Sequence, residues 1–430
     1  MVNLISRLCG KINPLSLKEY KENNGFKGLE RALFKMNSKD IISEIKSSNL
    51  KGRGGACFST GLKWQFTSME NSNDKYVICN ADEGEPGTFK DKVLLDGCPF
   101  QIIEGMIIAA LAVGANKGYI YIRGEYPKSK DILIDAINTL KYEGYLGKNI
   151  LGTEYSFDIE VRSGAGAYVC GEETALIESI EGNPGRSRFK PPYPPNKGLW
   201  GKPTLVNNVE TLANIPIILA NGVDEYKKYG TKSSVGTKLI SVSGAVVNKG
   251  VFEIEFGTTL REVIYDICGG MEPGKELNFI QLGGSSGACL PNSLLDTKLD
   301  FDELKKLDIG LGSGAILVVD TSICILDFIK NTMEFFKHES CGKCTPCREG
   351  NRHIIKTIDR ITKGYGTKND LNLLIDISTV MTEASLCGLG QAAPTALITT
   401  MKYFKEEYIN HVKGYCKAGI CNLKGGVVNG

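Results

Sequence analysis

Y-V-I-C-N-A-D-E-G-E-P-G-T-F-K, residues 76–90, decides the fold class. Tyr76 to Asn80 form a short, mostly apolar run, which predicts a strand buried on both faces. A glycine-rich acidic turn follows at once. Outward from this pair, strands and helices alternate. I-I-E-G-M-I-I-A-A-L-A-V-G-A (102–115) predicts a buried helix, and G-Y-I-Y-I-R-G (118–124) a strand. D-I-L-I-D-A-I-N-T-L (131–140) predicts an amphipathic helix, and F-D-I-E-V-R-S-G-A-G (157–166) a strand and loop. The β-α-β order predicts a Rossmann-like α/β domain over residues 46–235, with helices covering a largely parallel sheet. Loops after such strands are where α/β folds place ligands.

Three further segments surround that domain. Residues 1–45 read as a helical arm, because G-L-E-R-A-L-F-K-M (28–36) has apolar residues at helical spacing. Residues 236–320 carry K-L-I-S-V-S-G-A-V, then G-V-F-E-I-E-F-G-T-T-L-R-E-V-I-Y-D-I, then I-L-V-V-D. Two strands, one helix laid across them and a closing strand predict a small β-grasp, soluble-ligand-binding-like domain with a structural or docking role. Residues 321–430 read as a helical bundle, in which Ile354, Ile358 and Ile361 form one apolar stripe.

Composition narrows the function. The 430 residues are 42% hydrophobic and carry a net charge of +2, which favours real cores and gives no electrostatic footprint for nucleic acid. The longest apolar run, Ile102 to Ala115, contains Glu104 and is too short to span a bilayer. No secretory pattern opens the chain. Its fourteen cysteines therefore predict reduced thiols in a cytoplasmic setting. Any membrane attachment is expected to run through partners.

Several motifs carry chemistry. E-S-C-G-K-C-T-P-C-R-E-G supplies Cys341, Cys344 and Cys347, and S-L-C-G-L-G supplies Cys387. Thiolates at C-x2-C-x2-C spacing suit a soft metal, either a [4Fe–4S] cluster or zinc; three ligands in one tight turn favour the cluster. K-G-R-G-G-A-C-F-S-T-G-L-K-W (51–64) is a glycine loop. Gly52, Gly54 and Gly55 permit close backbone approach, and Arg53 and Lys63 add positive charge for a phosphate. A plain turn is the alternative. Phe58 and Phe66 read either as core or as stacking surfaces for a base. The acidic turn crowds Asn80, Asp82, Glu83 and Glu85 together and is expected to need cationic or donor company. A solvated turn and a carboxylate metal site are its other readings. G-A-G-A-Y-V-C-G-E-E-T-A-L (164–176) predicts a glycine turn and a helix start near Gly171, where Glu172 and Glu173 complement the helix dipole. K-P-P-Y-P-P-N-K-G (190–198) is a stiff loop presenting Lys190 and Tyr193. His411, Cys416 and Cys421, with Cys324, offer a Cys3His zinc set. A second iron–sulfur site or free thiols are the alternatives.

Taken together, these strings resemble the flavoprotein subunit of NADH dehydrogenases, the NADH-oxidising subunit of respiratory complex I and its counterparts in NAD-linked hydrogenases and formate dehydrogenases. The resemblance covers nearly the whole chain. It implies hydride transfer between NADH and FMN, then single electrons to a [4Fe–4S] cluster on Cys341, Cys344, Cys347 and Cys387. It implies a flavin pocket of Gly52, Arg53, Gly54, Gly55, Lys63, Asn80, Asp82, Glu83, Tyr168, Gly171, Glu172, Glu173, Val206, Asn207 and Asn208. Phe58, Phe66 and Tyr193 resemble the aromatics that stack on the NADH adenine, with Lys190 nearby. Glu85 resembles the residue at the nicotinamide end, and with Glu173 it is the catalytic candidate.

The chain departs from the family string G-A-G-F-P-T-G at Cys57 and Ser59. Tyr193 stands for a common phenylalanine and Lys92 for a common arginine; no needed charge or ring is lost. C-G-K-I-N-P (9–14) and the terminal C-K-A-G-I-C resemble the subunit of multimeric, including electron-bifurcating, [FeFe]-hydrogenases, in which a zinc site resembles Cys324, His411, Cys416 and Cys421. The thioredoxin-like and ferredoxin domains that many of those relatives carry are not expected in these 430 residues. The partners implied are a small [2Fe–2S] thioredoxin-like subunit and a larger iron–sulfur or hydrogenase catalytic subunit. A complex I or formate dehydrogenase subunit, or a non-enzymatic electron relay, are the other readings.

Overall fold

The computed structural model describes residues 2–423. Four strands form the first sheet: β1 (Tyr76–Ala81), β2 (Lys117–Ile122), β3 (Asp158–Ser163) and β4 (Thr204–Asn208). They are all parallel, in the order β3-β2-β1-β4. β1 is central, and its Val77, Ile78 and Cys79 are fully buried, as a strand covered on both faces requires. The apolar helices Pro99–Val113 and Val209–Asn221 pack against one another beneath it.

Glu104, the one charge in the longest apolar run, anchors the N-terminal arm. Its carboxyl accepts from the Tyr20 hydroxyl at 2.6 Å, Phe26 N–H at 2.9 Å and Leu29 N–H at 3.1 Å. The last two donors flank the start of helix Lys27–Lys35, where a carboxylate meets free N–H groups and the positive end of the dipole. Burial pushes Glu104 up to about 7 despite these donors. Among the described residues no single helix is long and apolar enough to cross a membrane. Helices Lys90–Gly97 and Pro99–Val113 reach that length only as a pair, but they bend by 96° at their junction and the longer one is core.

The second sheet has five strands: β5 (Thr237–Gly244), β6 (Gly250–Glu255), β7 (Leu277–Leu282), β8 (Ala288–Leu290) and β9 (Ala315–Asp320). Their order is β6-β5-β9-β7-β8, with β5 and β9 parallel and the other pairs antiparallel. The sequence pattern misses β7 and β8. One interrupts its apolar run with Asn278 and Gln281, and the other is three residues long. The helix expected after β6 is present, in an unexpected form. Glu262–Ile267 winds as a short π-helix, with Cys268 N–H reaching back to Val263 at 3.0 Å.

The remaining chain is helical, with Ile325–Glu339, Thr345–Thr362 and Lys368–Ala384 packed in succession. Ile354, Ile358 and Ile361 are fully buried among Phe336, Leu374 and Met381. A buried ion network joins the two sheets' domains. Glu210, at the start of helix Val209–Asn221, binds Lys90 at 2.7 Å, Lys238 of β5 at 2.6 Å and Leu239 N–H at 2.9 Å. Lys90 also meets Asp91 at 2.6 Å. Nothing in the local pattern of residues predicts this network, because its members lie far apart in sequence.

Candidate functional site

The acidic turn leaves the C-terminal end of β1, and most of its polar groups find partners. Asn80 donates to the Gly171 carbonyl at 2.9 Å, and its side-chain oxygen accepts Asp82 N–H at 3.1 Å. Glu83 accepts from Asp91 N–H at 2.8 Å and Lys92 N–H at 3.1 Å at the start of helix Lys90–Gly97, and from the Tyr126 hydroxyl at 3.2 Å. Asp82 differs, since its Oδ2 is buried with no partner. Burial pushes Asp82 and Glu83 each up to about 7, so near neutrality the Asp82 carboxyl can either accept or donate.

Glu85 turns towards other elements. Its Oε2 accepts from the Tyr168 hydroxyl at 2.5 Å and Ser286 Oγ at 3.1 Å, while its Oε1 accepts Ser286 N–H at 3.0 Å. Burial raises its pKa, and these donors oppose the rise.

Next to Gly171, which Asn80 holds, Glu172 caps helix Glu173–Ile180 by accepting from Thr174 and Ala175 N–H, each at 3.0 Å. The helix thus starts two residues after the predicted Gly171. Four charges converge beside it. Lys63, on helix Thr60–Met69, meets Glu173 at 3.1 Å; Lys190 meets Glu172 at 2.8 Å and Glu173 at 3.0 Å. Burial raises Glu173, but the two lysines outweigh it and hold the carboxyl below its usual range. Lys63 also donates to the Val206 carbonyl at 3.2 Å, tying this cluster to β4. Phe58, Phe66 and Tyr193 are each about half exposed, which excludes the core reading of the two phenylalanines. The Phe58 and Phe66 rings lie 6.5 Å apart at 40°.

The glycine loop 52–55 closes back on itself through Gly52 N–H to the Phe58 carbonyl at 2.9 Å. A Cβ on Gly54 would lie 2.9 Å from the Asn208 Cβ, so only glycine fits there. Asn208 caps helix Val209–Asn221 and donates to Asp91 at 2.7 Å; Asn207 accepts from the Trp64 indole at 2.9 Å. Arg53 departs from the expectation that it supplies charge to the phosphate. Its guanidinium is buried, donates to the Val235 carbonyl at 2.7 Å, and stacks over Phe256 at 4.5 Å. Its Nε and Nη1 stay unpartnered. The planar, weakly hydrated group suits that interdomain seam.

The four cysteines of the bundle line one cavity, with Val169, Ser187, Lys343 and Leu389. Cys344 and Cys387 each stand immediately before a helix, Thr345–Thr362 and Gly388–Ala392. Ser340 Oγ lies 3.2 Å and Asn351 Nδ2 3.5 Å from Cys347 Sγ. Gly342 takes a φ of +73° between the first two cysteines. A Cβ on Gly390 would meet Cys347 Cβ at 2.9 Å. Burial pushes the Cys347 thiol up to about 11, with the neighbouring thiols adding to the rise.

A second cluster is tighter. The ligand atoms of Cys324, His411, Cys416 and Cys421 all lie within 4.8 Å of one another. Cys324 caps helix Ile325–Glu339, whose N-terminus favours a thiolate. Its Sγ lies 3.3 Å from His411 Nε2 and 3.6 Å from Cys421 Sγ. His411 Nδ1 sits 2.6 Å from the Glu407 carbonyl, which selects the tautomer with Nε2 free to ligate. The Cys421 thiol, with His411, holds Cys324 down to about 4, and Cys421 itself rises in return.

Comparison with known proteins bears directly on these two regions. Residues 45–217 match the Nuo51 FMN-binding domain, 238–319 the SLBB domain, and 327–411 the NADH-ubiquinone oxidoreductase-F iron-sulfur binding region. The chain is 44% identical over 421 residues to the NADP-reducing hydrogenase subunit HndC of Solidesulfovibrio fructosivorans, covering 98% of this chain and 86% of that one. It is 44% identical over 413 residues to an NADH-quinone oxidoreductase subunit of Aquifex aeolicus, covering 96% and 95%. The crystal structure of an NAD+-reducing [NiFe]-hydrogenase in the H2-reduced state superposes with a TM-score of 0.84 at 35% identity, over 96% of this chain and 67% of that one.

Proposed function

The chain belongs to the family of NADH-binding FMN flavoprotein subunits with a [4Fe–4S] region, and from that premise we propose how its residues divide the work. FMN lies in the cleft beyond the C-terminal ends of β1 and β4, and NADH enters past Phe58, Phe66 and Tyr193. The observation that carries this reading is Asp82 Oδ2, a buried oxygen with no protein partner just beyond the C-terminal end of β1. A polyhydroxylated ligand chain satisfies it.

FMN, when bound, exchanges a hydride with the nicotinamide and releases its electrons one at a time. The protein supplies position and charge. Asn80, Asp82, Glu83, Gly171 and the backbone of Gly52, Arg53, Gly54 and Gly55 hold the flavin, with Tyr168, Val206, Asn207 and Asn208 completing the pocket. Lys63 and Lys190 keep Glu173 ionised, Lys190 also pairs with Glu172, and both lysines offer donors to the incoming nucleotide. The half-exposed rings stack on its adenine, and Glu85 contacts its nicotinamide end.

Cys341, Cys344, Cys347 and Cys387 hold the [4Fe–4S] cluster. Their placement round a cavity, two of them at helix N-termini, fits a cubane with a net negative charge. Cys324, His411, Cys416 and Cys421 hold zinc; three sulfurs and one imidazole converging on a point fit a closed tetrahedral site.

The complex served is an NAD-linked hydrogenase. Support comes from the match to a hydrogenase subunit over 98% of the chain and from the Cys3His site. The implied partners are a small [2Fe–2S] subunit and a larger hydrogen-activating subunit. Equal identity to the Aquifex aeolicus protein supports a quinone-linked assembly as the second reading. Fourteen cysteines with no disulfide among them suit a reducing cytoplasm.

The assembly purified from cells tests this. Under the hydrogenase reading it contains a hydrogenase subunit and reduces ferricyanide with NADH. That activity disappears when flavin is stripped and returns with added FMN. Quinone-reducing partners would select the second reading, and activity indifferent to FMN would remove both.

A further inference from the structure

The small second domain reaches the acidic turn, although its sequence promises no site chemistry. Two of its loops and strand β5 grip the acidic turn and the residues after it in three places. Ser286 holds Glu85, Ser313 Oγ meets Thr88 Oγ1 at 2.6 Å, and Ser241 Oγ accepts Phe89 N–H at 3.0 Å. The loop bearing Ser286 is built for close approach. A Cβ on Gly284 would lie 2.3 Å from Glu85 Cγ, and Gly283 and Gly284 take φ values of +104° and +89°. Any side chain at position 284 would displace the carboxylate.

We infer that Ser286 is a positioning residue, which orients the Glu85 carboxylate towards the nicotinamide end of the bound dinucleotide. Glu85 has a flexible side chain with three torsions, and no cation touches it among the described residues. Its two oxygens are held instead by neutral donors, two from Ser286 and one from Tyr168, with the Ser285 backbone adding to them. The Tyr168 ring is itself wedged against Phe335 and Phe336 at 5.3 and 6.3 Å, so that donor is rigid. Ser286 differs in coming from another domain. Its N–H and hydroxyl bind opposite oxygens of one carboxylate, and a two-point grip sets the plane of the group as one bond cannot. A hydrogen bond to a charged group, once removed, costs enough to change affinity about tenfold.

This inference rests on the reading that Glu85 contacts the nicotinamide end, and the test separates the two. The FMN-loaded full chain is titrated calorimetrically with NAD+ under anaerobic conditions, alongside KM and kcat for NADH. S286A is expected to weaken NAD+ binding and raise KM about tenfold, with kcat less affected and flavin content unchanged. S286T, which keeps the hydroxyl, is expected to stay near the parent. E85A is expected to weaken binding at least as much, and S286A added to E85A to change nothing further. Multiplying effects in that double variant, or an S286A protein that binds NAD+ like the parent while E85A does not, would overturn the positioning role. An E85A protein with unaltered NAD+ binding would overturn the nicotinamide assignment, and the inference with it.

Discussion

Replacing Cys347 with alanine is expected to empty the protein of its iron while leaving its zinc in place. Cys347 is the most buried of the four cluster cysteines and sits in the first turn of helix Thr345–Thr362, against the Gly390 backbone. Burial alone would keep that sulfur protonated, so a cluster held there would have to supply the positive charge that lets it ionise. The Cys324 group lies on different elements and shares no residue with it. Elemental analysis of the parent is expected to give about four irons per zinc. Cys347→Ala is expected to keep only the zinc, and Cys324→Ala only the iron. The flavin of Cys347→Ala protein should still be reduced by NADH, but reduction of the partner subunit should stop. Iron retained in full by Cys347→Ala, or zinc missing from the parent, would contradict the respective ligand set.

Glu210→Ala is expected to lower unfolding stability by about 3–5 kcal/mol, the cost of breaking a fully buried ion pair from one side. Two lysines depend on this carboxylate. Lys90 would keep Asp91, but Lys238 would keep only the Leu239 carbonyl at 2.7 Å. Lys238 already feels the burial, which outweighs Glu210 and holds its pKa down to about 8. Lys238→Met in the same background is expected to recover part of the loss, because the stranded charge goes with it. Denaturant unfolding monitored by tryptophan fluorescence and by flavin release checks both variants. A Glu210→Ala midpoint equal to the parent's would mean that the network contributes little to the junction.

These two cases mark what local sequence can and cannot carry. The C-x2-C-x2-C run, the acidic turn after a buried strand and the glycine loop are legible because each packs its donors or ligands within a few consecutive residues. Strand β1 and helix Pro99–Val113 are legible for the same reason, since burial on all sides leaves an unbroken apolar run. Ser286 and the Lys90–Glu210–Lys238 network are not. Their partners lie far away in the chain, and an isolated serine or a lysine in a strand has the same local signature whether it faces water or a carboxylate. Arg53 is a related case: a cation in a glycine loop suggests a phosphate, and nothing local tells that its guanidinium also stacks on Phe256. Only the packing of the second domain decides that. The π-wound segment at Glu262–Ile267 has an ordinary helical pattern, and nothing in it marks the wider turn.

Anaerobic addition of NADH to the FMN- and iron-loaded protein, followed by visible absorption and electron paramagnetic resonance in one titration, tests the central claim most directly. The account predicts that the flavin band bleaches and that a reduced iron–sulfur signal grows at the expense of the dinucleotide. A flavin band that NADH leaves untouched, or one that bleaches with no electron reaching the cluster at any dose, would contradict it.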